Sequence, residues 1–244
     1  MRGVVLAGGL GTRFHPVTQV VNKHLLDVFD EPMVFYPIKA LARAGIRELV
    51  LVTGREIEQF KDLLGTGSNL GVDIAYARQE ESGGIAEALG LAGDLIGAES
   101  CAVILGDNIF QEDLKPYIDS YSAQSGGAKL LLKQVGFDDA KRFGVASIQG
   151  DRILDIVEKP LEPASDLVVT GCYMYDKRVF EIIGDLEPSA RGELEITDVN
   201  NAYVQMGETT FDVLRGWWTD AGTPASKLKA SILVALAKGV TFHA

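Results

Sequence analysis

The 244-residue sequence contains no run of about 18 or more apolar residues, so it offers no candidate membrane span. It also lacks a basic surplus: 23 Lys and Arg stand against 34 Asp and Glu, a net charge of −11. That removes the electrostatic footprint of a nucleic-acid binder and of a protein drawn to an anionic membrane surface. An acidic chain that handles phosphates must therefore concentrate Arg, Lys or a metal locally. Cysteine is nearly missing. Cys101 and Cys172 sit inside apolar runs without metal-ligand spacing, and are expected to be buried, reduced thiols in a cytoplasmic protein. The opening Met1 to Leu6 is too short and too weakly basic for a signal peptide. No Pro-, Gly- or Ser-rich stretch reads as a linker and no internal repeat is visible, so one domain over 1–244 is expected.

Apolar runs of strand length alternate with amphipathic stretches in the first half. Strands are expected at Gly3 to Ala7, Glu48 to Thr53, Ile74 to Arg78 and Ala102 to Leu105. Helices are expected at Pro32 to Ala44, Glu56 to Leu64 and Gly83 to Ile96. Such alternation needs crossover connections, which predicts an α/β fold with a mainly parallel, Rossmann-like sheet and helices on both faces. From about Ala128 the pattern changes to closely spaced strands at Lys129 to Val135, Val145 to Ile148, Ile153 to Val157, Val168 to Tyr175 and Thr209 to Leu214. Short helices are expected at Lys177 to Ile183 and Glu195 to Met206, and a terminal one at Ala225 to Lys238. This half reads as a smaller mixed β elaboration able to wall off a pocket above the sheet. Parallel sheets bind ligands beyond the carboxyl ends of their strands, so chemistry is expected just after Ala7, Arg78 and Leu105.

After the first strand comes Gly8-Gly9-Leu10-Gly11-Thr12-Arg13. Glycines let backbone N–H groups approach an anion. A dinucleotide fingerprint would need glycine where Phe14 stands, and the Gly-Lys-Ser/Thr of a Walker loop is missing. What remains is a glycine turn carrying its own guanidinium, with Lys23 ten residues on. Arg13 can fork two phosphate oxygens and Lys23 can add a point charge, the competing reading being a plain turn with solvated cations. After the third strand, Gln79 offers one donor and one acceptor, suiting the imide edge of thymine or uracil, and Gly83-Gly84 permits close approach; the competing reading is a plain surface glutamine. After the fourth, Asp107 follows glycine at the end of a buried strand, where it can ligate Mg²⁺ or merely cap a helix. Asp220, in Trp217-Trp218-Thr219-Asp220, is a second candidate, since Mg²⁺ uses one or two carboxylates plus phosphate oxygens and water.

The stretch Leu6 to Arg13, followed by Asn22-Lys23-His24-Leu25-Leu26, resembles the signature of the sugar nucleotidyltransferases, a GT-A-like family. The resemblance implies that Leu6, Gly8, Gly9, Gly11, Thr12 and Arg13 wrap a triphosphate while Arg13 and Lys23 hold its charge. It implies that Gln79 and Gly84 hold a pyrimidine, and that Asp107 and Asp220 pair as the metal ligands. Three further segments match: Arg142-Phe143-Gly144-Val145, Glu158-Lys159-Pro160 and Val169-Thr170-Gly171-Cys172-Tyr173. With Asn108 and Trp218 these imply a sugar-phosphate pocket of Gly144, Glu158, Lys159, Val169, Thr170 and Gly171. Glu158 there accepts from sugar hydroxyls and Lys159 grips the phosphate, although a Glu-Lys pair taken alone reads as a surface ion pair.

Ser189 to Asn200 resembles the segment that separates thymidylyltransferases and related pyrimidine transferases from other branches. From its residues alone it reads as a loop-to-helix entry with an Arg191–Glu pair. His24 reads as a packing or surface residue. The family usually has proline where Asp27 stands, and Leu and Thr where Thr219 and Ala221 stand.

The implied reaction joins glucose 1-phosphate to dTTP by in-line attack on the α-phosphorus, with Mg²⁺ and without a general base, because a phosphate monoester is already ionised at neutral pH. The product, dTDP-glucose, would feed rhamnose-type deoxysugar synthesis. The competing readings are a UTP-preferring enzyme and a non-catalytic nucleotide-sugar sensor; a sensor should have lost Arg13, Lys23 or a carboxylate, and all are present. The implied organisation is a nucleotide-binding part over about 1–127, a sugar-binding part over about 128–223 and a helix over 224–244, in a homo-oligomer with a tetramer as the candidate form. Longer members carry further helices with a regulatory site; the sequence runs only about one helix past Thr223, so that regulation is not expected.

Overall fold

A computed structural model describes residues 1–241; residues 242–244, the end of the helix expected over 224–244, lie outside the described residues. The chain opens with β1 (Arg2–Ala7), followed by three short 3-10 turns over Thr12–Phe14, Val17–Gln19 and Lys23–Leu25. A small hairpin of β2 (Asp27–Val28) and β3 (Glu31–Pro32) leads into α1 (Phe35–Arg43). Then come β4 (Glu48–Thr53), α2 (Ile57–Leu64), β5 (Asp73–Arg78), α3 (Ile85–Gly90), α4 (Gly93–Ile96) and β6 (Cys101–Leu105). The second half runs β7 (Asn108–Phe110), α5 (Lys115–Ser122), β8 (Ala128–Gln134), α6 (Phe137–Ala140), β9 (Gly144–Gln149), β10 (Arg152–Glu158) and β11 (Leu167–Tyr175). It ends with α7 (Val179–Gly184), α8 (Ile196–Gln205), β12 (Thr209–Val213), β13 (Trp218–Asp220) and α9 (Pro224–Ala237).

One nine-stranded sheet draws on both halves. Its central path is β10-β9-β11-β6-β1-β4-β5, with β8 on β11 and β12 on β8. β6, β1, β4 and β5 run parallel, as the strand–helix alternation requires. The later strands are not a separate layer. β11 pairs antiparallel with β6 and carries β8 and β9 with it, so the elaboration prolongs the sheet sideways. Side-chain alternation sends Val5, Leu49, Leu51 and Ile104 to a core under α1 and α2, and Val4, Val50, Val52 and Val103 to a core under α3, α4 and α8. Both faces are therefore covered. A third, small core of Val28, Met33, Ile109, Ala221, Ala230 and Val234 seats α9. That helix starts at a capping box in which Thr223 and Ser226 exchange hydrogen bonds, with Pro224 in the first turn.

Two helix expectations need correction. The helix placed from Pro32 begins at Phe35, because the N–H groups of Met33 and Val34 donate to Leu26 and His24 carbonyls. Those bonds fold the 22–26 loop against the helix entry. The helix expected over Gly83 to Ile96 is two short ones, α3 and α4, preceded by Gly84 at φ +105°.

Candidate active site

Parallel strands deliver the central groups. Past the end of β6, Gly106 leaves room that a side chain would close, since an added Cβ would lie 2.8 Å from the His24 ring. Asp107 follows. β7 and β13 then pair antiparallel with Asn108 opposite Asp220, and the Ala221 N–H donates to the Asp107 carbonyl at 2.7 Å. Two acidic residues more than a hundred positions apart thus become neighbours. Gly222 keeps the space between them open: a Cβ there would lie 3.1 Å from Asp107 Oδ2, 3.4 Å from Asp220 Oδ2 and 3.9 Å from the Arg13 guanidinium. The two oxygens are therefore no farther apart than the sum of the first two distances.

Each carboxylate has a cation. Lys23 Nζ lies 2.7 Å from Asp107 Oδ2, and Asn108 Nδ2 donates to Oδ1 at 2.9 Å. Burial resists the Asp107 charge, but Lys23 and these hydrogen bonds overcome it and hold the carboxyl well below its usual range. Arg142 donates to both Asp220 oxygens at 3.2 Å. Burial and then repulsion from Asp107 nevertheless push the Asp220 carboxyl up to about 6. His24 is buried and donates from its Nδ1 to Asn22 Oδ1 at 2.9 Å; burial and Lys23 lower its pKa to about 3, so it packs as a neutral ring.

Asp107, Leu105 and Ile85 line two cavities at once. One, of about 220 Å³, has walls that include Leu6, Gly8, Gly9, Lys23, Gln79 and Gly84. Gly8 is needed for close approach, since its Cβ would fall 2.7 Å from Gln79 Oε1. Gly11 and Thr12 line neither cavity; they form the turn that aims Arg13, with Gly11 in the left-handed region at φ +59°.

The other cavity, of about 480 Å³, includes Asn108, Gly144, Glu158, Lys159, Val169 and Trp218, and it also reaches Arg13, Gly171 and Asp220. Asn108 organises this wall: its Oδ1 accepts from Gly171 N at 2.9 Å and Trp218 Nε1 at 2.7 Å. Glu158 accepts from Thr197 Oγ1 at 2.8 Å and pairs with Lys159 at 2.8 Å. Lys159 sits at φ +44°, a conformation uncommon for a side-chain-bearing residue, which turns it out of β10 before Pro160. Thr170 is a correction. It is fully buried on the opposite face of β11 and donates to the Leu131 carbonyl at 2.8 Å, because successive strand residues face opposite ways.

Residues 2–235 match the family described as Nucleotidyl transferase. The chain belongs to that family. A glucose-1-phosphate thymidylyltransferase of Neisseria meningitidis is 42% identical over 96% of this chain and 82% of its own length. That of Mycobacterium tuberculosis is 43% identical over the same shares. Among solved structures, a chain assigned as a glucose-1-phosphate thymidylyltransferase from Bacillus anthracis, in complex with a sucrose, superposes with a TM-score of 0.92. It is 47% identical, with 100% of this chain and 98% of that one covered. A UDP-glucose pyrophosphorylase complexed with UDP-glucose gives a TM-score of 0.85 at 25% identity, covering 96% of this chain and 98% of that one.

In this nucleotidyl transferase the described residues contain no cluster of three or more His, Cys, Asp or Glu groups able to hold a metal. The donor set is two carboxylates facing one gap beside Gly222, which fits a hard cation that takes its remaining ligands from phosphate oxygens and water. Among the described residues, no helix is long and apolar enough to cross a membrane. The structure also brings in residues that the motifs did not assign. Arg142 reaches Asp220, and Thr197 holds Glu158. Arg191 makes the expected pair, 2.8 Å from Glu195, but its guanidinium also lies on the cavity wall, 3.9 Å from Glu158. Arg142 and Arg191 were visible as cations inside two of the quoted segments, whereas nothing in the sequence marked Thr197.

Proposed function

We propose that this enzyme transfers the thymidylyl group of dTTP to glucose 1-phosphate, giving dTDP-glucose and pyrophosphate. One observation carries the reading: Asp107 stands on the shared wall of two cavities, with Asp220 and Arg13 around the same gap. The smaller cavity takes the nucleoside and the larger the sugar phosphate, so the nucleophile and the α-phosphorus meet beside Asp107. The sugar phosphate needs no general base, and the barrier lies in joining two anions. Positioning and fixed charge supply the catalysis. Arg13 and Lys23 stabilise the departing pyrophosphate, Lys159 orients the attacking phosphate and Glu158 accepts from sugar hydroxyls. Mg²⁺ held by Asp107 and Asp220 would neutralise phosphate charge and polarise the reacting phosphorus.

The same reading assigns the nucleotide to about 1–127 and the sugar to about 128–223, and makes the product a precursor of rhamnose-type deoxysugars. The buried, unbridged Cys101 and Cys172 support a cytoplasmic setting. A homo-oligomer, with a tetramer as the candidate form, remains part of the proposal and is read by light scattering.

Pyrophosphate release with glucose 1-phosphate and each triphosphate in turn, with Mg²⁺ and with chelator, tests the assignment. The expected result is Mg²⁺-dependent release that is fastest with dTTP. UTP is the second reading, favoured by the fold shared with the UDP-glucose pyrophosphorylase. Faster release with UTP would select it, and release with purine triphosphates alone would end both.

A further inference from the structure

Gln79 lines the smaller cavity, but a glutamine amide by itself does not choose between bases. It can present either Oε1, which accepts, or Nε2, which donates. A rotation of the amide would let the same residue receive the N3–H of an imide or donate to the bare N3 of cytosine. Something has to fix its orientation.

Glu87 stands behind it, on the first turn of α3 and outside the residues that line the cavity. Its Oε2 accepts from Gln79 Nε2 at 2.5 Å and from the Gly83 N–H at 3.0 Å. The second hydrogen of Nε2 goes to the Gly84 carbonyl at 3.2 Å. Both donors are thus engaged by oxygens that cannot donate in return, and Oε1 is left facing the cavity beside Gly8. A flipped amide would set Oε1 against a carboxylate and a carbonyl, three acceptors together with no proton between them. Gly83 allows the close packing, since a Cβ there would fall 2.5 Å from the Glu87 carboxyl carbon.

We propose that Glu87 is a positioning residue for base selection: it locks the Gln79 amide with its oxygen toward the base, so the site demands an N–H donor and rejects cytosine. This rests on the reading of the smaller cavity as the nucleoside site. The competing role for Glu87 is purely structural. A Glu at this position bonds the Gly83 N–H ahead of the helix, which it shares with the Glu81 carbonyl, and favours the helix dipole, whatever nucleotide is bound.

The ratio of kcat/KM for dTTP to that for dCTP separates the two roles. In Glu87→Ala the ratio is expected to fall by ~10-fold or more, the scale of one charge-assisted hydrogen bond. Glu87→Met removes the acceptor while keeping a good helix former, and should do the same if the alanine variant folds poorly. Glu87→Gln retains an acceptor oxygen and should restore most of the discrimination. A parent enzyme that uses dCTP as readily as dTTP overturns the nucleoside-site reading and this inference with it. A parent that discriminates, with Ala and Met variants that lose stability or slow equally on both nucleotides, overturns the positioning role alone.

Discussion

The two sides of Asp107 are built from different materials. On the proposed nucleotide side, away from Lys23 and Glu193, the wall is glycine, apolar side chain and neutral amide: Gly8, Gly9, Gly84, Leu6, Ile85 and a Gln79 whose donors are already engaged. On the proposed sugar side it is a set of ion pairs, Arg142 with Asp220, Lys159 with Glu158 and Arg191 with Glu195. Glycine walls are preformed, because nothing must let go before a ligand enters. Ion-pair walls are provisional, because a phosphate or a cation arriving there exchanges partners with groups that already neutralise each other. Perturbing the first side should act sterically and on the nucleotide, and perturbing the second electrostatically and on the sugar phosphate or metal.

The largest effect is expected at the boundary between them. Asp107→Asn keeps the shape but removes the charge that both sides share, and should lower kcat by ~10³-fold. Circular dichroism should remain that of the parent; activity within tenfold of the parent would refute the central role. Next comes Arg13→Ala, expected to reduce turnover by ~10²-fold or more, the cost of one preorganised charge contact. Arg13 is exposed and makes no described ion pair within the chain, so its loss should leave the unfolding midpoint unchanged.

Two milder changes test the contrast directly. Gly8 has no left-handed backbone requirement, so Gly8→Ala acts through its Cβ, which would press on Gln79 Oε1. It should raise KM for dTTP by ~10-fold and leave KM for glucose 1-phosphate unaltered, the cost of moving one positioned hydrogen-bonding group. Thr197→Val removes the hydroxyl that holds Glu158 while keeping the volume of a buried residue. It should do the reverse, raising KM for glucose 1-phosphate by ~5-fold with KM for dTTP unchanged. If both variants shift both constants together, the two walls do not act separately.

Much of this arrangement was legible in the sequence, for a physical reason. β1, β4 and β6 are buried on both faces and read as continuous apolar runs, and ligand-binding residues follow the carboxyl ends of such strands. Arg13 and Asp107 could be found from that rule with residue chemistry added, whereas Gln79 follows the half-exposed β5 and Lys23 lies in a turn well past β1, so these two needed the motifs as well. β7 and β13 could not, because a three-residue strand has no period of its own and exists only when its distant partner arrives. The pairing that seats Asp220 opposite Asn108 is therefore a tertiary fact, as is the reach of Arg142. Thr170 was separable in principle: alternation along β11 sets it opposite to Val169 and Gly171, whereas the motif takes the three as one block. The start of α1 was hidden because the bonds that delay it come from the 22–26 loop rather than from its own residues.

The smallest expected effect lies in the Arg142–Asp220 pair. Any divalent cation that uses Asp220 must share it with a guanidinium bonded to both of its oxygens, and that guanidinium also lies 5.2 Å from the Phe143 ring centre. The pair is partly open, with Arg142 44% and Asp220 19% exposed, and pairs of that kind contribute on the order of 1 kcal/mol or less. Arg142→Ala should therefore lower the Mg²⁺ concentration for half-maximal activity by only ~3-fold, within the ~5-fold that such an energy allows. The titration belongs at pH 8, above the value of about 6 to which burial and Asp107 raise the Asp220 carboxyl, so that protons do not replace Arg142 as the competitor. The rival role for Arg142 is a direct grip on the sugar phosphate from the cavity wall. In that case KM for glucose 1-phosphate rises and the Mg²⁺ requirement stays put, and the sugar side would owe its charge to ligand contacts rather than to partners awaiting exchange.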